Sequence, residues 1–138
     1  MAIQYLQLKP DSKLPNISEF KPFRTILIIE DFVAEEWQLK VSNLLVASGC
    51  LYMMAWGKNC SSWDDSVDLA NLKEFSYEEI PDDKLVMTTW HENESLRDVY
   101  FFSKYNATHS IVEIYNTLLV HISRYNKEKE FLIDYEST

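Results

Sequence analysis

The chain of 138 residues carries 22 acidic and 13 basic side chains, a net charge of −9, and 46% of its residues are hydrophobic. This composition is typical of one globular domain with its own core, and it excludes a long disordered tract. A negative average field repels a phosphate backbone, so we expect no nucleic-acid partner and instead a basic protein partner.

The start of the chain and its two cysteines bear on the compartment. No basic stretch followed by an apolar run opens the sequence, and no apolar run approaches the ~20 residues that span a bilayer. We therefore expect a cytoplasmic protein without membrane contact, in which Cys50 and Cys60 are free thiols. Their spacing matches no zinc motif, and we expect neither a metal nor a cofactor.

The first third of the chain predicts a βαβ unit. Prolines make residues 1–23 an extended N-terminal arm. A β-branched apolar run at residues 24–29 predicts a strand that is covered on both faces. Apolar side chains at helical spacing over residues 33–48 predict a helix with Asp31 as its N-cap. A second apolar run at residues 50–56 predicts the next strand, reached by a right-handed crossover.

The following segment predicts a second helix and a third strand. Ser62 is the expected N-cap of a helix that ends near Phe75. Asp64 and Asp65 then fall in the first turn, where the helix dipole favours negative charge. A turn follows, and the apolar run at residues 84–90 predicts the third strand.

Residues 94–123 allow two interpretations. In the first, residues 94–105 form a helix, for which Asn93 is a candidate cap, and residues 116–122 form a fourth strand. In the second, residues 99–102 form a strand paired with the third, and residues 109–123 form a helix. The first interpretation continues the alternation of strands and helices and is preferred on that ground.

Together these elements predict an α/β fold, a single three-layer α/β/α domain over residues 1–138. Its sheet is mainly parallel with about four strands, in an order that the sequence leaves open. A short helix over residues 126–135 closes the chain in either interpretation. In open sheets of this kind, ligands bind outside the carboxyl ends of the strands.

The loops expected at those carboxyl ends are rich in polar and aromatic side chains, including three of the four tryptophans. Tryptophans anchor protein interfaces, and carboxylates attract a basic partner. Each tryptophan could instead pack at the edge of the core. The predicted partner-binding residues on this rim are Trp56, Trp63, Asp64, Asp65, Asp68, Trp90 and Glu92.

The same rim allows an enzymatic alternative, a small hydrolase or a metal-dependent enzyme. His91 would act as a general base that Asp31, Asp64 or Asp65 orients, and Cys60 would be a nucleophile if His91 lowered its pKa. The carboxylates and His91 could also hold a divalent cation. The competing explanation is structural, because these acids suit helix N-termini and most cysteines are inert.

Known catalytic motifs do not decide between these alternatives. Gly49 and Gly57 are the only glycines, so neither a P-loop nor a dinucleotide fingerprint can be written. A nucleophile elbow and a His-Glu-x-x-His motif are also missing from the sequence. His121 lies in an apolar stretch and is expected to be a core histidine with hydrogen-bond partners.

Three blocks of sequence resemble a family of small bacterial proteins of unknown function: residues 52–68 (YMMAWGKNCSSWDDSVD), residues 86–92 (VMTTWHE) and residues 116–122 (NTLLVHI). The resemblance spans most of residues 20–125 and implies no activity, substrate or catalytic residue. In general type, a small acidic cytoplasmic protein is also similar to immunity proteins that neutralise basic bacterial toxins. The leading hypothesis is therefore a protein-binding protein, with the enzyme as its alternative.

Overall fold

A computed structural model describes residues 2–138 and places helices on both faces of a five-stranded sheet. The prediction of a three-layer α/β/α fold with a parallel sheet is confirmed, with one strand more than expected. Met1, the first residue of the predicted arm, lies outside the described residues. In chain order the elements are β1 (Ala2–Leu8), β2 (Phe23–Ile29), α1 (Glu35–Ala47), β3 (Cys50–Gly57), α2 (Cys60–Glu74), β4 (Met87–His91), α3 (Leu96–Tyr105), β5 (Asn116–Ile122) and α4 (Glu128–Glu136).

The additional strand is formed by residues that the sequence assigned to an extended arm. β1 pairs with β5 in parallel, from Ala2 opposite Asn116 to Leu8 opposite Ile122. The prolines that forbid a helix come after this strand, in the connection to β2, and so do not interfere with it. The strand order is β1-β5-β2-β3-β4, and every pair of neighbours is parallel.

The first interpretation of residues 94–123 is the correct one. α3 begins with a capping box, in which the Ser95 hydroxyl accepts from the Asp98 amide at 3.1 Å and the Asp98 carboxylate accepts from the Ser95 amide at 3.3 Å. β5 lies between β1 and β2 and bonds to both. Apolar side chains in residues 109–123 also recur at helical spacing. Backbone hydrogen bonds to two neighbouring strands stabilise residues 116–122 as a strand instead.

Three predicted N-caps are wrong. Asp31, Ser62 and Asn93 do not cap the helices that follow them, and within the described chain α1 and α2 have no side-chain cap at all. α2 starts two residues before Ser62 because the chain turns sharply after β3, with its cap residue in the left-handed region at φ 58°. The observed N-cap residues of α1, α2 and α3 are Ala34, Asn59 and Ser95.

The core has two parts, one on each face of the sheet. α1 and α2 pack on one face through side chains such as Trp37 and Trp63, and α4 packs on the other through Phe131 and Tyr135. The helices that follow the neighbouring strands β2 and β5 therefore leave in opposite directions. Such a switch point creates a crevice at the carboxyl ends of the two strands. Among residues 2–138 no helix is long and apolar enough to cross a membrane.

Gly57, at the end of β3, is where the backbone of that strand approaches β2 most closely. Its φ is +104°, and a β-carbon there would lie 2.2 Å from the Ile29 carbonyl oxygen. The same oxygen accepts a hydrogen bond from the Lys58 amide at 2.8 Å. We expect Gly57→Ala to lower the free energy of unfolding by about 2 kcal/mol, measured by urea titration. A loss below about 0.5 kcal/mol, the range of ordinary surface substitutions, would contradict this prediction.

Candidate functional site

Two clusters of polar side chains lie at the carboxyl ends of the strands. The first, at β3 and β4, contains most of the residues that the sequence singled out. The second lies in the crevice between β2 and β5 and was not predicted. Asp31 is the second residue after the end of β2, and its charge acts on His121 of the second cluster, apart from the predicted residues at β3 and β4.

At the first cluster, hydrogen bonds link the end of β3 to the segment after β4. The indole N–H of Trp56 donates to the Glu94 carbonyl oxygen at 2.8 Å. The Glu94 carboxylate lies 3.0 Å from Nδ1 of His91. Trp56 and His91 are thus brought together, as their positions at neighbouring strand ends suggest. Glu94, which the sequence offered only as a charge for a basic partner, is the residue that joins them.

His91 is held in place on all sides. Its Nε2 lies 2.9 Å from the Thr89 hydroxyl, its Nδ1 is occupied by Glu94, and Phe102 packs edge-on at 5.0 Å between ring centroids. The ring is buried. A general base needs a nitrogen within reach of the substrate, and here both nitrogens are bonded to neighbouring side chains. The geometry therefore suits a structural role for His91 better than a catalytic one.

Cys60 does not have the surroundings of a nucleophile. It is the first residue of α2 and is buried. Burial raises the pKa of its thiol, and the negative charge of Glu92 raises it further. Because the thiolate is the reactive form, a raised pKa makes the sulfur less reactive at neutral pH.

Trp63 and Asp64 lie inside the protein and contribute no surface to a partner-binding face, contrary to expectation. Trp63 is among the largest fully buried side chains, and Asp64 is only 5% exposed. Within residues 2–138 the Oδ2 atom of Asp64 has no hydrogen-bond partner. Burial, followed by the charge of Asp68, raises the pKa of Asp64 to about 6. The inward position of Trp63 agrees with its helical spacing from Val67, which is also on the buried face of α2.

Four of the predicted partner-binding residues do lie on the surface, and we call them the acidic face: Asp65, Asp68, Trp90 and Glu92. The Thr88 hydroxyl donates to the Asp68 carboxylate at 2.7 Å and so ties β4 to α2. Trp90 is 52% exposed. β4 is an edge strand of the sheet. In the part of the chain that is described, it pairs only with β3.

The negative charge of the protein is concentrated in the segment of the chain that contains the acidic face. Residues 60–98, which form α2, β4 and their connections, contain 11 of the 22 acidic side chains and three of the 13 basic ones. Their net charge is −8, out of −9 for the whole chain. The remaining residues are close to neutral, so the acidity of the composition belongs to one segment of the chain.

The second cluster is a closed hydrogen-bond network around His121. Nδ1 of this histidine lies 2.6 Å from the Tyr5 hydroxyl, and Nε2 bonds to the Glu30 carboxylate. Glu30 also accepts from the Lys127 ammonium at 3.3 Å, and the backbone amide of Lys127 donates to Tyr5 at 3.0 Å. The network joins β1, β2 and β5 to the start of α4.

The protonation states in this network follow from burial and charge. Burial lowers the pKa of His121 in spite of the neighbouring carboxylate. Burial alone would raise the pKa of Glu30, but hydrogen bonds from His121 and Lys127 hold it below its ordinary value. A neutral imidazole then donates from Nε2 to ionised Glu30 and accepts at Nδ1 from Tyr5. With every group paired, the cluster is built to hold the sheet together.

Sequence reasoning missed Tyr5 and Lys127 as members of this cluster, although the interpretation of His121 as a core histidine with partners is confirmed. The crevice at the switch point is the usual place for a ligand, but locating it requires the strand order. Among residues 2–138 no group of three or more His, Cys, Asp or Glu side chains could hold a metal ion.

Comparison with known proteins identifies a family. The chain belongs to the family described as Domain of unknown function (DUF7684), whose family model matches residues 3–138. This agrees with the resemblance to a family of unknown function seen in the three sequence blocks. Neither the curated proteins nor the solved structures contain a match. The argument about function therefore depends on the chain's own residues.

Proposed function

We propose that this protein binds a basic protein partner through its acidic face, in the manner of an immunity protein that neutralises a basic toxin. The observation that carries the proposal is the net charge of −8 in residues 60–98, beside an exposed tryptophan. Complementary charge speeds association and selects the partner, and a tryptophan at the centre of an interface supplies much of the binding energy.

The enzymatic alternative receives less support from the same residues. His91 has both ring nitrogens bonded to its neighbours, and the pKa of Cys60 is raised where a nucleophile needs it lowered. The carboxylate next to His91 is that of Glu94, whereas Asp64 is buried on α2. A small hydrolase or metal-dependent enzyme would need these groups to face one cavity.

The proposal is tested by capturing the partner from a lysate of the source organism with matched charge variants. The face variant carries Asp68→Lys and Glu92→Lys. The control carries Glu130→Lys and Glu136→Lys, the same change in net charge on exposed positions of α4, which packs over β1 at the opposite edge of the sheet. Asp64 is left unchanged because it is buried.

We expect the wild type and the control to capture one stoichiometric partner of basic composition, and the face variant to lose it. Circular dichroism should show that all three proteins are folded. Retention of the partner by the face variant, equal loss from both variants, or no partner for the wild type would each contradict the proposal.

Trp90 is the expected aromatic anchor of this interface. With the captured partner purified, Trp90→Ala should raise Kd at least about tenfold, since exposed tryptophans that become buried on binding are common hot spots. Tyr125→Ala is the matched control, because Tyr125 is 73% exposed and follows β5, away from β4. Titration calorimetry measures both constants, and equal effects of the two substitutions would rule out Trp90 as the anchor.

A further inference from the structure

The free edge of β4 lies beside the acidic face, because Thr88 on this strand bonds to Asp68 and Glu92 follows the strand directly. β4 pairs only with β3 among residues 2–138, so the backbone groups on its outer side have no strand to bond to. Unpaired edges of this kind bind extended segments of other chains by adding a strand to the sheet.

β4 lacks the features that usually protect an edge strand. Natural edges carry lysine, proline or a bulge that prevents pairing with another chain. The strand reads Met-Thr-Thr-Trp-His, without lysine or proline, and its register with β3 runs without a shift from Met87 to His91. Threonine and tryptophan both favour extended structure. The edge is therefore regular and suited to accept a strand.

The charge around β4 selects among possible occupants. A second copy of this chain would bring a second Asp68 and Glu92 against the first pair, and this repulsion opposes pairing of two such edges. A basic segment would instead place its side chains near Asp68 and Glu92, which lie beside β4 and directly after it. Trp90 is exposed on the same strand and offers an apolar contact.

We infer that the partner presents an extended basic segment, which adds to the sheet as a sixth strand beside β4. This inference deepens the proposed function and rests on it. Backbone hydrogen bonds would supply affinity, and alternate side chains of the added segment would reach the carboxylates on α2 and after β4. A partner that docks only by charge would leave the backbone of β4 unprotected.

The test uses two synthetic peptides of eight residues with alternating lysine and valine. In the second peptide the valine nitrogens are methylated, which removes backbone donors and keeps charge and composition. Binding is measured by calorimetry at low ionic strength, and protection of the β4 amides is measured by hydrogen exchange. The same measurements on the face variant, Asp68→Lys with Glu92→Lys, show how much of the binding depends on the two carboxylates.

Strand addition predicts that the unmethylated peptide binds at least about tenfold more tightly than the methylated one and slows exchange within Met87–His91. The face variant should weaken both peptides. Equal binding of both peptides to the wild type, without protection of β4, would overturn strand addition and leave charge-driven partner binding intact. Failure of both peptides to bind would also overturn strand addition, while partner capture tests the proposed function separately.

Discussion

Replacement of His121 by alanine is expected to lower the free energy of unfolding by about 3–4 kcal/mol. His121 is fully buried, and its ring packs against Phe131 at 4.8 Å between centroids. The substitution leaves a cavity at that contact. It also removes one hydrogen-bond partner from Tyr5 and one from Glu30, two groups that hold three strands and α4 together. Urea titration followed by circular dichroism measures the loss.

A smaller change in the same network provides the control. Tyr5→Phe removes one hydroxyl and should lower the free energy of unfolding by about 1 kcal/mol. The pKa of His121 is lowered in the folded protein, so protonation favours the unfolded chain, and the contribution of His121 to stability should be lost as pH falls below about 6.5. The alanine variant lacks this contribution. A loss below about 1 kcal/mol for His121→Ala would show that the network is not structural.

Asp64→Asn is expected to stabilise the protein at neutral pH. The pKa of this carboxyl is raised from 3.8 to about 6, first by burial and then by the charge of Asp68. A raised pKa means that the folded protein holds the proton more tightly than the unfolded chain. The contribution is therefore fully present below about pH 4 and is lost as pH rises to 6. Asparagine avoids the buried charge, and the gain at pH 7 should be about 2–3 kcal/mol.

The control for this prediction is the neighbouring residue. Asp65→Asn, at an exposed position, should keep most of the dependence of stability on pH, because the charge of Asp65 raises the pKa of Asp64 less than burial and Asp68 do. Urea titrations of the three proteins between pH 4 and pH 8 make the comparison. If the free energy of unfolding of Asp64→Asn changed with pH in the same way as that of the wild type, the prediction of an unfavourably buried charge at Asp64 would be wrong.

Much of the fold could be predicted from the sequence because several elements have one strong signal each. Residues 24–29 and 50–56 are continuous apolar runs, and they became β2 and β3, strands covered on both faces. β1 was missed because it is a half-exposed edge strand, with Gln4 and Gln7 among its residues. It is stabilised by pairing with β5, which lies more than a hundred positions further along the chain. The hydrophobic pattern of residues 2–8 alone does not indicate that pairing.

The site could be predicted in position but not in orientation. Trp56, Trp90 and His91 were located because strand ends are easy to find. Trp63 was assigned to the surface, although its spacing from Val67 already placed both on one helical face, and that face is buried. The cluster at His121 could not be located from the sequence, because locating it requires the order of the strands in the sheet. The concentration of negative charge in residues 60–98 can be counted from the sequence alone. Relating it to a binding site requires the structure, which shows that β4 is a free edge strand.

The central claim, that the acidic face binds a basic partner, is tested most directly by the dissociation constant of the captured partner. It should be measured by calorimetry at low and at physiological ionic strength, for the wild type and the two double charge variants. We predict that Asp68→Lys with Glu92→Lys raises Kd about a hundredfold and that the wild-type Kd rises with salt. Glu130→Lys with Glu136→Lys should change Kd by no more than about twofold. Equal changes for both variants, or a Kd independent of salt, would contradict the claim.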